Sequence, residues 1–298
     1  IRDVYKRQLS GWILDPDRKK MSKSKGNVVV PSDILEESKP GFGPDAVRYW
    51  AGSARLGADT AYEVTQMQIG RRLAMKILNA SKFALAQGVH ADLIGRTDLI
   101  TESLDQAVLA ALRETAAECS AFMAEYDYAH ALRTAESFFW AFTDDYVELA
   151  KDRSYGSVGE AGQFSAHATL ATALDVLLRL FAPFMPFVTE EVWSWGRSGS
   201  VHRAVWPQAD DLPVFDADTQ ALGHVGDVLG ELRRAKTEAK VSQKTPITSV
   251  TVTVPEAVLA AAQGAESDIM AAGRVQSWTL SAGGEDITVS DVEFETAE

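Results

Sequence analysis

Lys20-Met21-Ser22-Lys23-Ser24 puts two ammonium groups and two hydroxyls within five residues, with Gly26 close behind. Ammonium groups meet phosphate oxygens as point charges, hydroxyls donate to them, and a glycine lets backbone N–H groups approach closely. The chemistry these residue types suit is the binding of a polyphosphate. The spacing is not that of a Walker loop, because no G-x-x-x-x-G-K-[ST] run is present. The plainer alternative for a Lys/Ser-rich stretch is a solvated basic surface loop.

A second set of candidates recurs at helical spacing. Arg72, Lys76, Asn79 and Phe83 form one stripe, flanked by Arg71 and Lys82. Such a stripe offers charges for backbone phosphate, an amide for a base edge and a ring for an unstacked base. It reads equally as a solvated face, with Phe83 turned into the core. Arg233, Arg234, Lys236, Lys240 and Lys244 form a later basic patch with the same two readings. The remaining groups are bland. His90, His130, His167, His202 and His224 have no triad or ligand spacing. Asp144-Asp145 suits a solvated helix surface, so no metal site is expected. Cys119 falls on an apolar face and reads as a small buried hydrophobe. Phe138, Phe139, Trp140, Phe142 and Tyr146 read as core.

The elements that must carry these residues follow from periodicity. Leu9 to Leu14 predicts a short strand ended by the turn Asp15-Pro16-Asp17. Ser32 is expected to cap a helix that includes Glu36-Glu37, and a further helix is expected from Asp45 to about Ala54. From about Thr65 the apolar residues recur every three to four positions, which predicts four long amphipathic helices. The first carries Ile69, Leu73 and Ile77. The others run over about 103–126, 128–152 and 163–181. With short connections they read as an antiparallel bundle. A short helix should restart at Thr189, as its cap. Beyond it, 216–240 reads as helix and 248–254 as a Thr/Val-alternating strand. About 255–272 reads as helix. Strands are expected at 276–280 and 287–294, with Gly283-Gly284 turning between them. The tail is therefore a small α+β region. No sustained heptads follow residue 240, so no coiled-coil arm is expected.

Composition narrows the function classes. The 298 residues are 46 % hydrophobic and 24 % charged, ordinary for a packed protein. No uninterrupted apolar run reaches the ~18 residues of a membrane helix. With one cysteine, no internal disulfide is expected, and a reducing cytoplasm suits the chain. Net charge is −13, yet residues 1–90 hold 15 Lys+Arg against 9 Asp+Glu, while 91–298 hold 14 against 33. An acidic body with a basic first third can still present a local anion-binding surface. The chain opens on Ile1, which suggests a piece of something longer, and the polar stretch Ile1 to Gln8 is open to being foreign to the parent protein.

The motif and its surroundings resemble the class I aminoacyl-tRNA synthetases. KMSKS at 20–24 is that family's second signature. The strand before it, Gly26-Asn27-Val28-Val29 after it and Pro44-Asp45-Ala46-Val47-Arg48-Tyr49-Trp50 are similar to family segments. So is the run Phe181-Ala182-Pro183-Phe184-Met185-Pro186-Phe187-Val188-Thr189-Glu190-Glu191-Val192-Trp193, and Val205-Trp206-Pro207 beyond it. Gly57-Ala58-Asp59-Thr60 and Leu78-Asn79-Ala80-Ser81-Lys82-Phe83 point to the valine branch rather than its isoleucine, leucine and methionine sisters.

The resemblance implies a mainly α fold: an anticodon-binding bundle behind the end of a Rossmann-type catalytic domain, with a small α+β tail. The divisions it suggests are 1–30 for the catalytic end, 31–64 for a stem-contact connection, 65–200 for the bundle and 201–298 for the tail. It implies activation of valine with ATP (and Mg2+), followed by transfer to tRNA-Val, by a cytoplasmic protein expected to be monomeric. Lys23 and Lys20 would be the catalytic lysines, and Lys20, Met21, Ser22, Lys23 and Ser24 would contact ATP. Arg71, Arg72, Lys76, Asn79, Lys82 and Phe83 would face tRNA. No HIGH-type signature precedes the loop, so this chain alone is expected to be inactive. A non-catalytic tRNA-binding module, or the same part of a sister synthetase, is the alternative.

Overall fold

A computed structural model describes residues 11–35 and 41–295. Most of the chain is helical, and it divides into two compact units. Unit 1 takes the described residues within 1–82, 115–137 and 175–208, and unit 2 takes 83–114, 138–174 and 209–298.

In unit 1, β1 (Ile13–Leu14) pairs in parallel with β2 (Thr60–Ala61). Gly11 is what permits the approach, because a Cβ there would lie 1.8 Å from the Ala58 carbonyl oxygen. The strand is shorter than expected; Leu9 and Ser10 lie outside the described residues. Between the strands come α1 (Pro31–Leu35) and α2 (Pro44–Ser53). Ser32 is inside α1 and does not precede it, so it is not the cap; Glu36-Glu37 lie outside the described residues. Ile34, Ala46, Trp50 and Met67 form one buried cluster, and the Trp50 indole donates to the Ala61 carbonyl at 3.2 Å.

α3 (Val64–Ala86) follows, with Leu73 and Ile77 buried as the period requires. α4 (Ser103–Ala124) ends two residues earlier than expected, since Tyr126 turns the chain with a left-handed φ of 63°. α5 (Tyr128–Ala141) was expected to run unbroken to 152. It passes instead through a π-helical turn at 142–146 into α6 (Val147–Leu149) and α7 (Lys151–Ser154). The wider turn shifts the helical phase. Phe142 and Tyr146 are both buried there, with ring centroids 5.4 Å apart. Trp140 and Phe138 of the aromatic cluster are only half-buried.

α8 (Glu160–Phe181) has the length and apolarity of a membrane helix, although polar residues interrupt its apolar run. With 89 % of its most apolar stretch buried in the structure, it is a core helix. α9 (Pro186–Ser194) starts at its proline, not at Thr189. Proline suits the first helical position because its missing N–H would have had no partner there. Thr189 lies inside α9 and donates back to the Met185 carbonyl at 2.8 Å. The cap comes from α2: the buried Asp45 carboxylate accepts the Phe187 and Val188 N–H groups at 3.0 and 2.7 Å. Arg48, one turn later, donates to the Pro183 carbonyl at 2.7 Å.

The tail of unit 2 begins with α10 (Ala221–Glu238), which starts five residues later than expected. β3 (Ile247–Val254) buries Val250, Val252 and Val254 on one face. The helical stretch after it is two helices, α11 (Glu256–Gly264) and α12 (Glu266–Gly273). They carry the chain over to β4 (Trp278–Ala282), parallel to β3, and β5 (Thr288–Phe294) returns antiparallel on the other side of β3. Gly283-Gly284 therefore does not close a hairpin, and the order is β4-β3-β5. The apolar β3 is the strand worth burying, and it takes the centre.

Unit 2 also holds a buried ion network. The Arg153 guanidinium, 2 % exposed, donates to both Asp105 oxygens at 2.7 and 2.8 Å and to both Asp268 oxygens at 3.1 and 2.9 Å. Tyr146 and Ser165 donate to Asp105 as well, at 2.9 and 2.6 Å. Burial raises the Asp268 pKa against the opposing pull of Arg153. Lys236 of the supposed basic patch is also buried, and donates to the Gly273 and Gln243 carbonyls at 2.8 and 3.2 Å. It leaves that patch, and Arg234 is occupied by Glu231 and Glu238.

Candidate functional site

The loop 20–24 is a closed structure within unit 1. Residues 14–20 turn back on themselves: the Asp15 N–H donates to the Lys19 carbonyl, the Arg18 N–H to the Asp15 carbonyl, both at 2.9 Å, and Leu14 bridges Lys20. Lys23–Lys25 then form one 3-10 turn that ends at Gly26, whose φ of 67° favours glycine. Ser22 and Ser24 hydroxyls lie 3.3 Å apart.

Asn27 ties both ends of this loop together. Its Nδ2 donates to Asp15 Oδ2 at 2.7 Å and to the Lys20 carbonyl at 3.2 Å. Its Oδ1 accepts the Ser22 N–H at 2.9 Å. The other Asp15 oxygen accepts the Lys19 N–H at 2.7 Å. The Asn27 bond, and after it the Lys19 N–H, hold the Asp15 carboxyl below the usual carboxylate range. Neither Asp15 nor Asn27 stood out in the sequence as more than a turn residue and a loop neighbour. The available signal was an acid and an amide bracketing an otherwise basic loop.

The two lysines differ in their surroundings. Lys20 Nζ lies 4.7 Å from the centroid of the Trp12 ring, a cation–π contact. Lys23 is exposed on the 3-10 turn. Met21 is half-buried, consistent with packing the loop down. The loop thus presents an exposed ammonium, two neighbouring hydroxyls and an open glycine on a backbone held from behind. Such preorganised donors can stabilise charge on phosphate.

On α3, Arg71, Arg72, Asn79 and Lys82 are exposed, and Lys76 is half-buried. Arg71 donates to the Gly41 carbonyl at 3.3 Å, and the Lys82 ammonium lies 6.0 Å from the Trp195 ring. Met75, which the stripe did not include, shares this face at 51 % exposure. Phe83 belongs to unit 2 and is half-buried there, edge-on to the exposed Tyr155 with centroids 6.5 Å apart. Tyr155 was not singled out by pattern because it lies in the turn after α7, off any helical stripe.

Other groups are excluded from chemistry by their surroundings. Cys119 is buried, and burial pushes its thiol up to about 12, so it holds its proton at neutral pH. Among the described residues no three His, Cys, Asp or Glu side chains are grouped to hold a metal ion.

Comparison with known proteins agrees with these features. Residues 3–63 match the family model for class I tRNA synthetases (I, L, M and V), and 105–252 match that for the anticodon-binding domain of tRNA ligase. The valine--tRNA ligase of Cutibacterium acnes is 48 % identical over 283 residues, covering 94 % of this chain and 32 % of that protein. That of Thermobifida fusca is 48 % identical over 295 residues, covering 98 % and 33 %. The chain therefore spans about a third of the length of these relatives. In fold it is similar to the crystal structure of the ternary complex of Agrobacterium radiobacter K84 agnB2 LeuRS-tRNA-LeuAMS. The TM-score is 0.53 at 19 % identity, over 82 % of this chain and 26 % of that one. The chain belongs to the class I tRNA synthetase family of the I, L, M and V group, and carries that family's anticodon-binding domain.

Proposed function

We propose that this chain is the C-terminal part of a valine--tRNA ligase, in which loop 20–24 serves ATP-dependent activation of valine and the helical region binds tRNA-Val. The observation that carries this is the closed loop: Lys23 is exposed on a backbone that Asn27 and Asp15 tie together, in a chain 48 % identical to such ligases. Lys23 would hold the ATP phosphates and offset the charge that develops on pyrophosphate. Lys20 assists, Ser22 and Ser24 donate to phosphate, and Met21 packs. Mg2+ would enter with ATP, as part of the substrate.

In this reading 1–30 end the catalytic domain, 31–64 connect it along the tRNA stem, 65–200 form the anticodon-binding bundle and 201–298 the tail. Arg71, Arg72 and Lys82 meet backbone phosphate, with Lys76 at the edge of the same face. Asn79 reads a base edge and Phe83 stacks. The protein works in the cytoplasm as a monomer, and this part does not charge tRNA alone.

The test is binding of this chain to unmodified tRNA-Val at fixed salt, against the same tRNA with exchanged anticodon bases and against tRNA-Ile. Fixed salt matters because phosphate contacts make affinity salt-dependent. A preference of about 1 kcal/mol or more for the valine anticodon, the lower end for a good base contact, is the expected result. Equal binding to all three would move valine identity out of this chain. In the longer ligase, Lys23→Ala should slow valine-dependent ATP–pyrophosphate exchange by about 10²–10³, the scale for losing one preorganised donor.

A further inference from the structure

Lys19 and Lys20 are consecutive, yet their ammonium groups are held by different chemistry. Lys19 Nζ lies 3.4 Å from the Asp17 carboxylate, as an ion pair. Lys20 Nζ lies 4.7 Å from the centroid of the Trp12 ring, and among the described residues no carboxylate stands within ion-pair distance of it. Lys23 and Lys25 are exposed, with neither a ring nor a carboxylate against their ammonium groups among the described residues.

The backbone explains why Trp12 reaches Lys20. Leu14 bridges Lys20 in antiparallel fashion, and Trp12 precedes Leu14 by two residues. Extended chain puts residues two apart on the same side, so Trp12 stands diagonally across from Lys20, within reach of a long side chain. Trp12 is pinned from behind: its N–H donates to the Asp59 carboxylate at 2.7 Å, and its carbonyl accepts the Thr60 N–H at 2.9 Å. The ring itself is 64 % exposed, so core packing does not account for a tryptophan here.

A carboxylate beside an ammonium offsets its charge and takes up its donors. An aromatic face attracts the cation and leaves N–H groups free for phosphate oxygens. It also narrows the rotamers of a long side chain before any ligand arrives, which lowers the entropy lost on binding. Lys19 is therefore spent on Asp17, whereas Lys20 is held with its charge intact.

We propose that Trp12 is a positioning residue for the phosphate loop, whose ring holds the Lys20 ammonium in place for the triphosphate before ATP binds. The role of Lys20 rests on the reading of the chain as part of a valine--tRNA ligase; its contact with Trp12 does not.

Two measurements test this. In the 298-residue chain the Lys20 Hε protons, assigned through Lys20→Arg, should be shifted upfield by the Trp12 ring current and return to ordinary positions in Trp12→Leu. In the longer ligase, Trp12→Leu should lower kcat for valine-dependent ATP–pyrophosphate exchange about two- to fivefold, the scale of an exposed cation–π contact. Trp12→Tyr should recover part of the loss. In a Lys20→Met background Trp12→Leu should cost nothing further, because Trp12 acts only through Lys20. The ring is exposed and the backbone bonds do not depend on it, so these variants keep the hairpin.

Ordinary Lys20 shifts in the wild type overturn the proposal. So does exchange that Trp12→Leu leaves unchanged, or a loss of the same size in the Lys20→Met background, which would mark a merely structural role. Exchange with isoleucine and not with valine would overturn the valine reading alone, and the same variants assayed with isoleucine would still decide the role of Trp12.

Discussion

Asn27 donates its side-chain amide to the Asp15 carboxylate at 2.7 Å, and so joins the two ends of the lysine loop across twelve residues of chain. The same amide group also holds the Lys20 carbonyl and the Ser22 N–H. One side chain therefore satisfies three groups that a loop of this length would otherwise leave to water.

Removing it should open the loop. Asn27→Ala is expected to speed amide exchange over residues 20–27 by about tenfold, the scale of one hydrogen bond to a charged group. Trypsin should then cut faster after Lys20, Lys23 and Lys25, while global unfolding stays unchanged. Equal cleavage of variant and wild type would show that the loop is held by something else.

Acid should open it too, with a definite sign. The Asp15 carboxyl is held below its ordinary value of 3.8 in the folded chain, so the folded form binds this proton less readily than the unfolded one. The stability it contributes is fully present above about pH 4 and is lost as pH falls through the lower folded value. Amide exchange of Ser22, followed from pH 5 to 3 after correction for intrinsic rates, should therefore accelerate only at the acid end. Asp15→Asn should abolish that pH dependence.

Arg153→Met should be among the most damaging single changes in unit 2. It leaves the buried Asp105 and Asp268 facing each other without their shared cation, and breaking a buried pair in this way costs about 3–5 kcal/mol. Urea unfolding at pH 7 measures the loss. Part of it should return at low pH, because the raised Asp268 takes up a proton readily.

Asp45→Ala removes the carboxylate that caps α9 from α2. The expected cost is about 1–2 kcal/mol, typical of a lost N-cap. Asp45→Asn should recover part of it, since an amide oxygen still accepts one N–H. A cost near zero would mean that water replaces the cap, which its 8 % exposure opposes.

Periodicity and turn chemistry made much of the molecule legible. The apolar faces of α3, α4 and α8, the Thr/Val alternation of β3 and the Lys/Ser loop are local patterns, and the hydrophobic effect acts on them wherever they pack. Helix ends were less legible where a distant group decided them. Thr189 is a good capping residue by type, but Asp45 supplies the cap from 142 residues away, and Pro186 starts the helix.

By itself the sequence determined the Lys/Ser make-up of the loop at 20–24, the helical class and the family to which the chain belongs, because each rests on residues close together in the chain. Only the tertiary structure decided which charges are used up and which remain available. Arg153, Lys236, Arg18 and Arg133 look alike in a sequence that is 24 % charged. Burial against carboxylates and carbonyls makes the first two structural, whereas the other two stay exposed. The cost of burying a charge, and its relief by a partner, depend on neighbours that sequence spacing does not specify.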